Sequence, residues 1–168
     1  MKQVDFQPFR PSGIQGVNEL FVDYIHDFLH IPQIWDSFDD ATRRGTGIHM
    51  IVAEWLAGVL MMGVPMVDGE PIGLFWSRRM NKQMVEGFQS IHPGKTMYSW
   101  GALDAACNAI FSAPEYVDVK YIAGFIDVNN RKSAVVARHA GFKKSGILPG
   151  YFKMNGQLND AIMMIKEK

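Results

Sequence analysis

The sequence has little of three things: cysteine, net charge and uninterrupted apolar stretches. Cys107 is the only cysteine among 168 residues, which excludes an intrachain disulfide and a metal site built from several cysteines. Basic and acidic residues number 17 each, and this lack of a basic excess argues against a protein that coats nucleic acid. We therefore expect a cytoplasmic protein in a reducing compartment, with no metal and no nucleic-acid partner.

The most apolar stretch, residues 48–67, has nearly the length of a membrane span. Glu54 and Pro65 lie inside it, and a charged residue near mid-span costs a few kcal/mol. Apolar residues recur at helical spacing over the first part and Gly58 follows them, so the stretch divides into a helix and a strand. No membrane partner is expected.

What the sequence does contain is the pattern of a mixed α/β domain. Hydrophobic residues make up 48% of the chain, which is ordinary for a globular protein and too high for a disordered one. The length fits one domain. Helical spacing and end signals predict four helices, over about 14–30, 48–57, 101–112 and 131–140.

Strands are predicted around these helices. They cover residues 2–9, 59–67, 71–79, 83–92 and 121–128, and two more lie within 145–166. Asp68-Gly69 and Asn155-Gly156 are hairpin turns, because glycine adopts a positive φ at little cost. Residues 31–46 are predicted as an irregular loop or a short helix. The order of elements indicates an α/β (α+β) fold whose mixed sheet is partly parallel.

Residues 123–142, AGFIDVNNRKSAVVARHAGF, carry the most specific local pattern: a strand ends at Asn130, a helix follows, and Gly141-Phe142 opens the next strand. With the closing hairpin, this segment resembles the GNAT superfamily of acyl-coenzyme A N-acyltransferases, including short, divergent GNAT-like proteins of bacteriophages. The resemblance implies one GNAT-like domain over residues 1–168. It also implies a mixed, mostly antiparallel sheet with splayed central parallel strands flanked by helices, and an atypical insertion at 31–57.

The resemblance also implies acetyl-coenzyme A as acyl donor. Its arm would enter between the strands at 83–92 and 121–128, and its pyrophosphate would meet the N-terminus of the following helix. On this basis the cofactor-binding residues are Ile91, Ser99, Gly101, Ala102, Asn130 and Ser133.

The pyrophosphate loop departs from the family pattern Q/R-x-x-G-x-G/A. With Gly101 in the sixth place, Thr96 stands first and Ser99 fourth; with Gly101 in the fourth place, Tyr98 stands first and Leu103 sixth. Neither register restores the pattern. Bulky side chains in this loop would crowd amides that must face phosphate.

Acyl transfer to an amine needs a group that takes the proton of the amine and a donor for the developing oxyanion. The candidate catalytic residues are Glu86 and His92, on or near the strand at 83–92, and Tyr151 in the closing hairpin. Simpler interpretations stay open: a solvated Glu86, a turn residue at His92 and a packing role for Tyr151. The tyrosine that many GNAT enzymes place four residues before the Gly-Phe pair is Ala137 here.

Charge is divided unevenly along the chain. Residues 1–84 contain 7 basic and 10 acidic residues, and residues 85–168 contain 10 and 7. Residues 128–159 contain six basic residues and no acidic one. This basic zone suits the phosphates of coenzyme A, or it is a solvated helix face and hairpin.

Besides an α/β domain unrelated to this family, two functions remain open on the sequence alone. The first is an N-acetyltransferase that moves an acetyl group from acetyl-coenzyme A to an unidentified amine, on a protein or a small molecule. The second is a catalytically inactive GNAT-fold protein with a binding or structural role, for example a phage virion-associated protein, found in the host cytoplasm or the virion. The degraded loop and the 11 methionines favour the second. Because GNAT-like folds often pair through strands, the resemblance also allows a homodimer.

Overall fold

The computed structural model describes residues 2–12, 16–38 and 47–168. The helices are α1 (Val17–Leu29), α2 (Pro32–Trp35), α3 (Gly47–Leu56), α4 (Ser99–Ser112) and α5 (Arg131–His139), with short 3₁₀ helices at Pro93–Tyr98 and Pro114–Tyr116. The strands are β1 (Asp5–Phe9), β2 (Leu60–Val67), β3 (Glu70–Pro71), β4 (Gly73–Arg79), β5 (Met84–Ile91), β6 (Tyr121–Asp127), β7 (Lys143–Met154) and β8 (Gln157–Glu167).

The strands form one sheet in the order β1-β2-β4-β5-β6-β8-β7, with β3 paired to β2. Every pair is antiparallel except β5 with β6, which run parallel at the centre. This confirms the predicted mixed, mostly antiparallel sheet with flanking helices.

The two central strands separate soon after they meet. They pair at only three positions, ending with Glu86 opposite Ala123. Beyond that point β5 continues to Ile91 alongside β4, while β6 continues to Asp127 alongside β8. The strands therefore splay apart, as predicted, and leave an opening in the middle of the sheet.

A separate hydrophobic core covers each face of the sheet. On one face, α1, α2 and α3 pack over β2 and β4 through a core that includes Phe21, Ile25, Trp55, Met62 and Trp76. On the other face, α4 and α5 pack over β5, β6 and β8 through a core that includes Val85, Ala106, Ile110, Ile122 and Met164. The opening between β5 and β6 thus lies between two packed layers.

The main departure from the predicted elements is the start of α4. It begins at Ser99, two residues before Gly101, because a 3₁₀ helix over Pro93–Tyr98 runs directly into it. Of the predicted 31–46 loop, residues 32–35 form the short helix α2, and residues 39–46 lie outside the described part of the chain.

The apolar stretch at 48–67 divides into α3 and β2, as predicted. Within the described ranges, no helix combines the length and the hydropathy that crossing a bilayer requires.

Candidate functional site

The unpaired edge of β5 faces the opening. The backbone N–H of His92 donates to the Ile72 carbonyl, with an N–O distance of 2.9 Å. Because antiparallel pairing alternates, every second residue back from His92 bonds to β4. The N–H and C=O groups of Gly87, Gln89 and Ile91 therefore turn toward β6, beyond the last parallel pair. Such an edge can take an extended ligand as an added strand.

Glu86 lies at the apex of the opening. It pairs with Arg78 of β4 on one side and with Ala123 of β6 on the other. Its relative exposure is 9%. Burial raises the pKa of its carboxyl above the ordinary value, while the Arg78 charge and a hydrogen-bonding interaction with Tyr151 lower the pKa in part. The solvated interpretation of Glu86 is wrong, because the side chain is enclosed by the sheet and its neighbours.

Arg78 is itself held in place from α3. Its guanidinium donates to the Glu54 carboxylate at 2.8 Å. The pair is partly exposed, so its contribution to stability is small. The Arg78–Glu54 pair matters for Glu86 because it fixes a positive charge beside the buried carboxyl.

A bulge in β7 brings Tyr151 to Glu86. The β7–β8 register shifts between Leu148 and Phe152. Within this bulge Gly150 has a φ of +61°, which glycine adopts readily, and its N–H donates to Asp160 Oδ1 at 2.9 Å. Tyr151 thereby reaches over β8, where its ring stacks on Phe125 and it hydrogen-bonds with Glu86.

His92 does not join these two residues. It follows the end of β5, and its Nδ1 accepts a hydrogen bond from the Gly94 N–H at 3.2 Å. It lies six residues along the chain from Glu86, about 20 Å at the usual rise per residue. The structure therefore brings Glu86 and Tyr151 together and places His92 in the turn at the far end of β5.

The N-terminus of α4 offers fewer anion donors than a glycine-rich loop would. The Ser99 N–H already donates to the Thr96 carbonyl of the preceding 3₁₀ helix, and the Ser99 hydroxyl donates to the same carbonyl at 2.7 Å. A helix of standard geometry leaves its first-turn N–H groups, here those of Trp100 and Gly101, without partners inside the helix, and in this chain the last carbonyls of the 3₁₀ helix lie before them. Lys95 forms an ion pair with Glu70 at 3.3 Å.

Two of the predicted cofactor residues have packing roles. Ala102 is buried in a small core with Val67 and Ile72, so it presents no side chain to a ligand. A Cβ added to Gly101 would lie 3.2 Å from Val4 Cγ2. The absence of a side chain at Gly101 lets α4 approach the N-terminal segment closely.

Asn130 caps α5. Its Oδ1 accepts a hydrogen bond from the Ser133 N–H at 3.1 Å, and the residue is exposed just beyond the end of β6. The side-chain NH₂ of Asn130 remains available to an acceptor on a ligand.

The predicted basic zone surrounds a cavity of about 350 Å³ beside α5. Arg131, Arg138 and Lys144 line it, together with apolar residues of α5 and β8 and no residue of α4. Within the described ranges none of these three cations forms an ion pair. The cavity lies on the flank of α5 that faces β7 and β8.

The lone cysteine is not a nucleophile. Cys107 is fully buried in the core under α4, and burial raises the pKa of its thiol to about 12, so the thiolate is scarce near neutral pH. Among the residues described, no group of three or more His, Cys, Asp or Glu side chains could hold a metal ion.

Residues that sequence reasoning did not assign to the site also border the opening. They are Arg78, Trp76, Phe88, Gln89 and Phe125. Strand alternation places Phe88 on the same face as Glu86 from the sequence alone, but it gives Phe88 no role. Phe125 and Trp76 needed the strand register, which one sequence does not give.

No protein-family model and no curated protein matches this sequence. Solved structures do match its fold. Spermidine N-acetyltransferase from Vibrio cholerae, in complex with CoA and spermine, has a TM-score of 0.75 at 17% identity, over 98% of this chain and 95% of that one. AAC(6')-Ib in complex with ribostamycin and coenzyme A gives 0.72 at 15%, over 99% and 94%. A probable acetyltransferase from Staphylococcus epidermidis gives 0.69 at 12%, over 99% of each chain.

These likenesses extend over nearly the whole length of each chain. The chain therefore has the fold of the GNAT acetyltransferases. The particular structures that it resembles are N-acetyltransferases, several of them crystallised with coenzyme A or acetyl-coenzyme A.

Proposed function

We propose that the protein is an N-acetyltransferase that uses acetyl-coenzyme A and a primary amine. The observation that carries this proposal is the opening between β5 and β6: an unpaired strand edge ends at a buried carboxyl, Glu86. Neither packing nor sheet stability requires that combination, since both the free edge and the buried charge are costly in a structural role.

The residues at the opening fit the acyl donor along its arm. The N–H and C=O groups of Gly87, Gln89 and Ile91 match the amides of a pantetheine arm laid beside β5. The Gln89 Oε1 is buried without a hydrogen-bond partner in the described part of the chain, as expected of an acceptor that serves a ligand. The first-turn N–H groups of Trp100 and Gly101 would hold the pyrophosphate, and the NH₂ of Asn130 would meet the arm from β6.

The proposed reaction follows from the positions of the hydrogen-bond donors on β5 and of the Glu86 carboxyl. Acetyl-coenzyme A supplies a thioester carbonyl, whose carbon forms a bond to the amine nitrogen as the C–S bond breaks. Glu86 takes a proton from the amine, directly or through water, and its raised pKa brings it closer to that task at neutral pH. The N–H of Gly87 on β5, which faces the opening, stabilises the negative charge that develops on the thioester carbonyl oxygen. The Tyr151 hydroxyl donates its proton to the departing thiolate and recovers one from Glu86, with which it hydrogen-bonds.

A catalytically inactive binding protein with this fold is the second candidate, and one observation favours it. The Ser99 N–H is occupied within the fold and Lys95 is paired, so the pyrophosphate end of the site is poorer in donors than the arm end. A GNAT-fold protein that no longer bound acetyl-coenzyme A could still keep its sheet and its splayed strands. A role in a phage particle belongs to this candidate.

An assay of coenzyme A release, paired with calorimetric titration, distinguishes the two candidates. We expect the wild-type protein to bind acetyl-coenzyme A and to release thiol with at least one amine of a mixed panel. Glu86→Gln should keep donor binding and lower turnover by about a hundredfold or more. Glu19→Gln, an exposed change on α1, is the matched control. Donor binding without turnover on any amine would favour the inactive protein, and no binding at millimolar donor would exclude the enzyme.

A further inference from the structure

Two pairs of stacked aromatic rings stand on either side of the opening, on the face that carries Glu86. On β5, Phe88 stacks on Trp76 of β4 with ring centroids 5.4 Å apart and planes 10° apart. On β6, Phe125 stacks on Tyr151 with centroids 4.9 Å apart and planes 24° apart. We call these four rings the aromatic slot.

The register shows that the two pairs face each other across the opening. Glu86 is opposite Ala123 in the last parallel pair, so Phe88 and Phe125 each lie two residues further along their strands. Alternation puts both side chains on the face of Glu86. Both phenylalanines are partly buried, like most of the residues near them on β5 and β6. The slot therefore stands directly outside the carboxyl that would take the proton of the amine.

The slot offers aromatic surface and little free negative charge. On the same face of β6 the next acidic residue is Asp127, and both of its oxygens are engaged: Oδ1 accepts from the Asn129 N–H at 2.7 Å and Oδ2 from the Asn159 amide at 2.6 Å. Glu86 is buried, and the positive charge of Arg78 acts on it. Among the described residues of β5 and β6 on this face, a polycation would find only these two carboxylates, whereas a flat apolar group would find a ring on each side.

We propose that the acceptor is a primary amine carried on a short arm that ends in an aromatic ring, an arylalkylamine, and not a polyamine or an amino sugar. The ring occupies the aromatic slot between Phe88 and Phe125, and the amine points inward to Glu86. This inference rests on the proposed acetyltransferase function. It differs from the substrates present in the structures of similar fold, which are spermine and aminoglycosides.

The test is steady-state acetylation of 2-phenylethylamine and tryptamine against spermidine and kanamycin. We expect kcat/KM for the two aryl amines to exceed that of the polycations by tenfold or more. Phe125→Leu keeps an apolar side chain but removes the ring, so KM for 2-phenylethylamine should rise by about three- to tenfold while kcat changes little. Phe111→Leu, on α4 at the opposite face, is the matched control and should leave KM unchanged.

Acetyl-coenzyme A titration separates failure of this inference from failure of the enzyme proposal. Donor binding with a preference for spermidine or kanamycin would overturn the aryl-amine acceptor and leave the acetyltransferase standing. A wild-type protein that does not bind acetyl-coenzyme A would contradict both the aryl-amine inference and the acetyltransferase proposal. If Phe125→Leu does not fold, Phe88→Leu tests the other wall, and an unchanged KM in that variant would contradict the slot.

Discussion

At the scale of single residues, Glu86 is the group whose surroundings differ most from those of an ordinary surface carboxyl. Its relative exposure is 9%, and burial raises its pKa against the opposing influences of Arg78 and Tyr151. A general base works best when its pKa approaches the working pH. The same burial that makes Glu86 costly to the fold makes it useful as a base.

The acidic limb of the pH–rate profile should report Glu86. The base must be deprotonated, so activity falls as the pH drops through its raised pKa. Arg78 lowers that pKa, so Arg78→Met should move the limb to higher pH, measured as kcat/KM from pH 5 to 9. Arg79→Met, a neighbouring arginine bonded instead to loop carbonyls, is the control. A limb that stays in place in Arg78→Met would remove Glu86 as the titrating group.

Some of these residues follow from the sequence and others do not. Glu86 and Tyr151 were predicted because acyl transfer needs a base and an acid near the splayed strands. Their proximity was not predicted, since it depends on the bulge at Gly150 and its bond to Asp160. Phe125 was missed because its place beside the opening is set by pairing between strands far apart in the chain.

At the scale of elements, local signals determine helices and hairpins well. Apolar spacing gave α1, and the Asp68-Gly69 and Asn155-Gly156 turns gave the two hairpins. The start of α4 was misplaced, because the 3₁₀ helix before it runs straight into α4 and no side-chain cap marks the boundary at Tyr98. The error matters, since that helix start is where a pyrophosphate would lie.

Asn130 has two proposed roles that substitution can separate. Asn130→Ala removes the cap of α5 and should lower the free energy of unfolding by about 1 kcal/mol, measured by urea denaturation. Asn130→Asp retains an acceptor for the Ser133 N–H and should be nearly as stable as wild type. If the amide NH₂ also holds the arm of the donor, Asn130→Asp will bind acetyl-coenzyme A more weakly despite its stability. Equal stability of wild type and Asn130→Ala would disprove the cap.

At the scale of the whole molecule, the sheet has a large hydrophobic core on each face, and the parallel pair of β5 and β6 opens between these cores. Under the proposed function, the anionic cofactor would lie on the side of α4 and the amine on the side of α1 to α3. The acidic and basic halves of the chain also lie largely on different sides of the sheet. The acidic half builds most of the amine side, and the basic half contributes α5 and β7.

Calorimetric titration of acetyl-coenzyme A against a blocked variant tests the central claim most directly. A Cβ added to Gly124 on β6 meets nothing closer than the Gly87 carbonyl oxygen at 4.0 Å, so Gly124→Leu should fold while filling the opening. Gly146→Leu, on β7 with Met163 Cε at 4.0 Å, is the matched control. We predict that wild type and Gly146→Leu bind one equivalent and that Gly124→Leu binds at least tenfold more weakly. Equal binding by all three, or none by the folded wild type, would contradict the account.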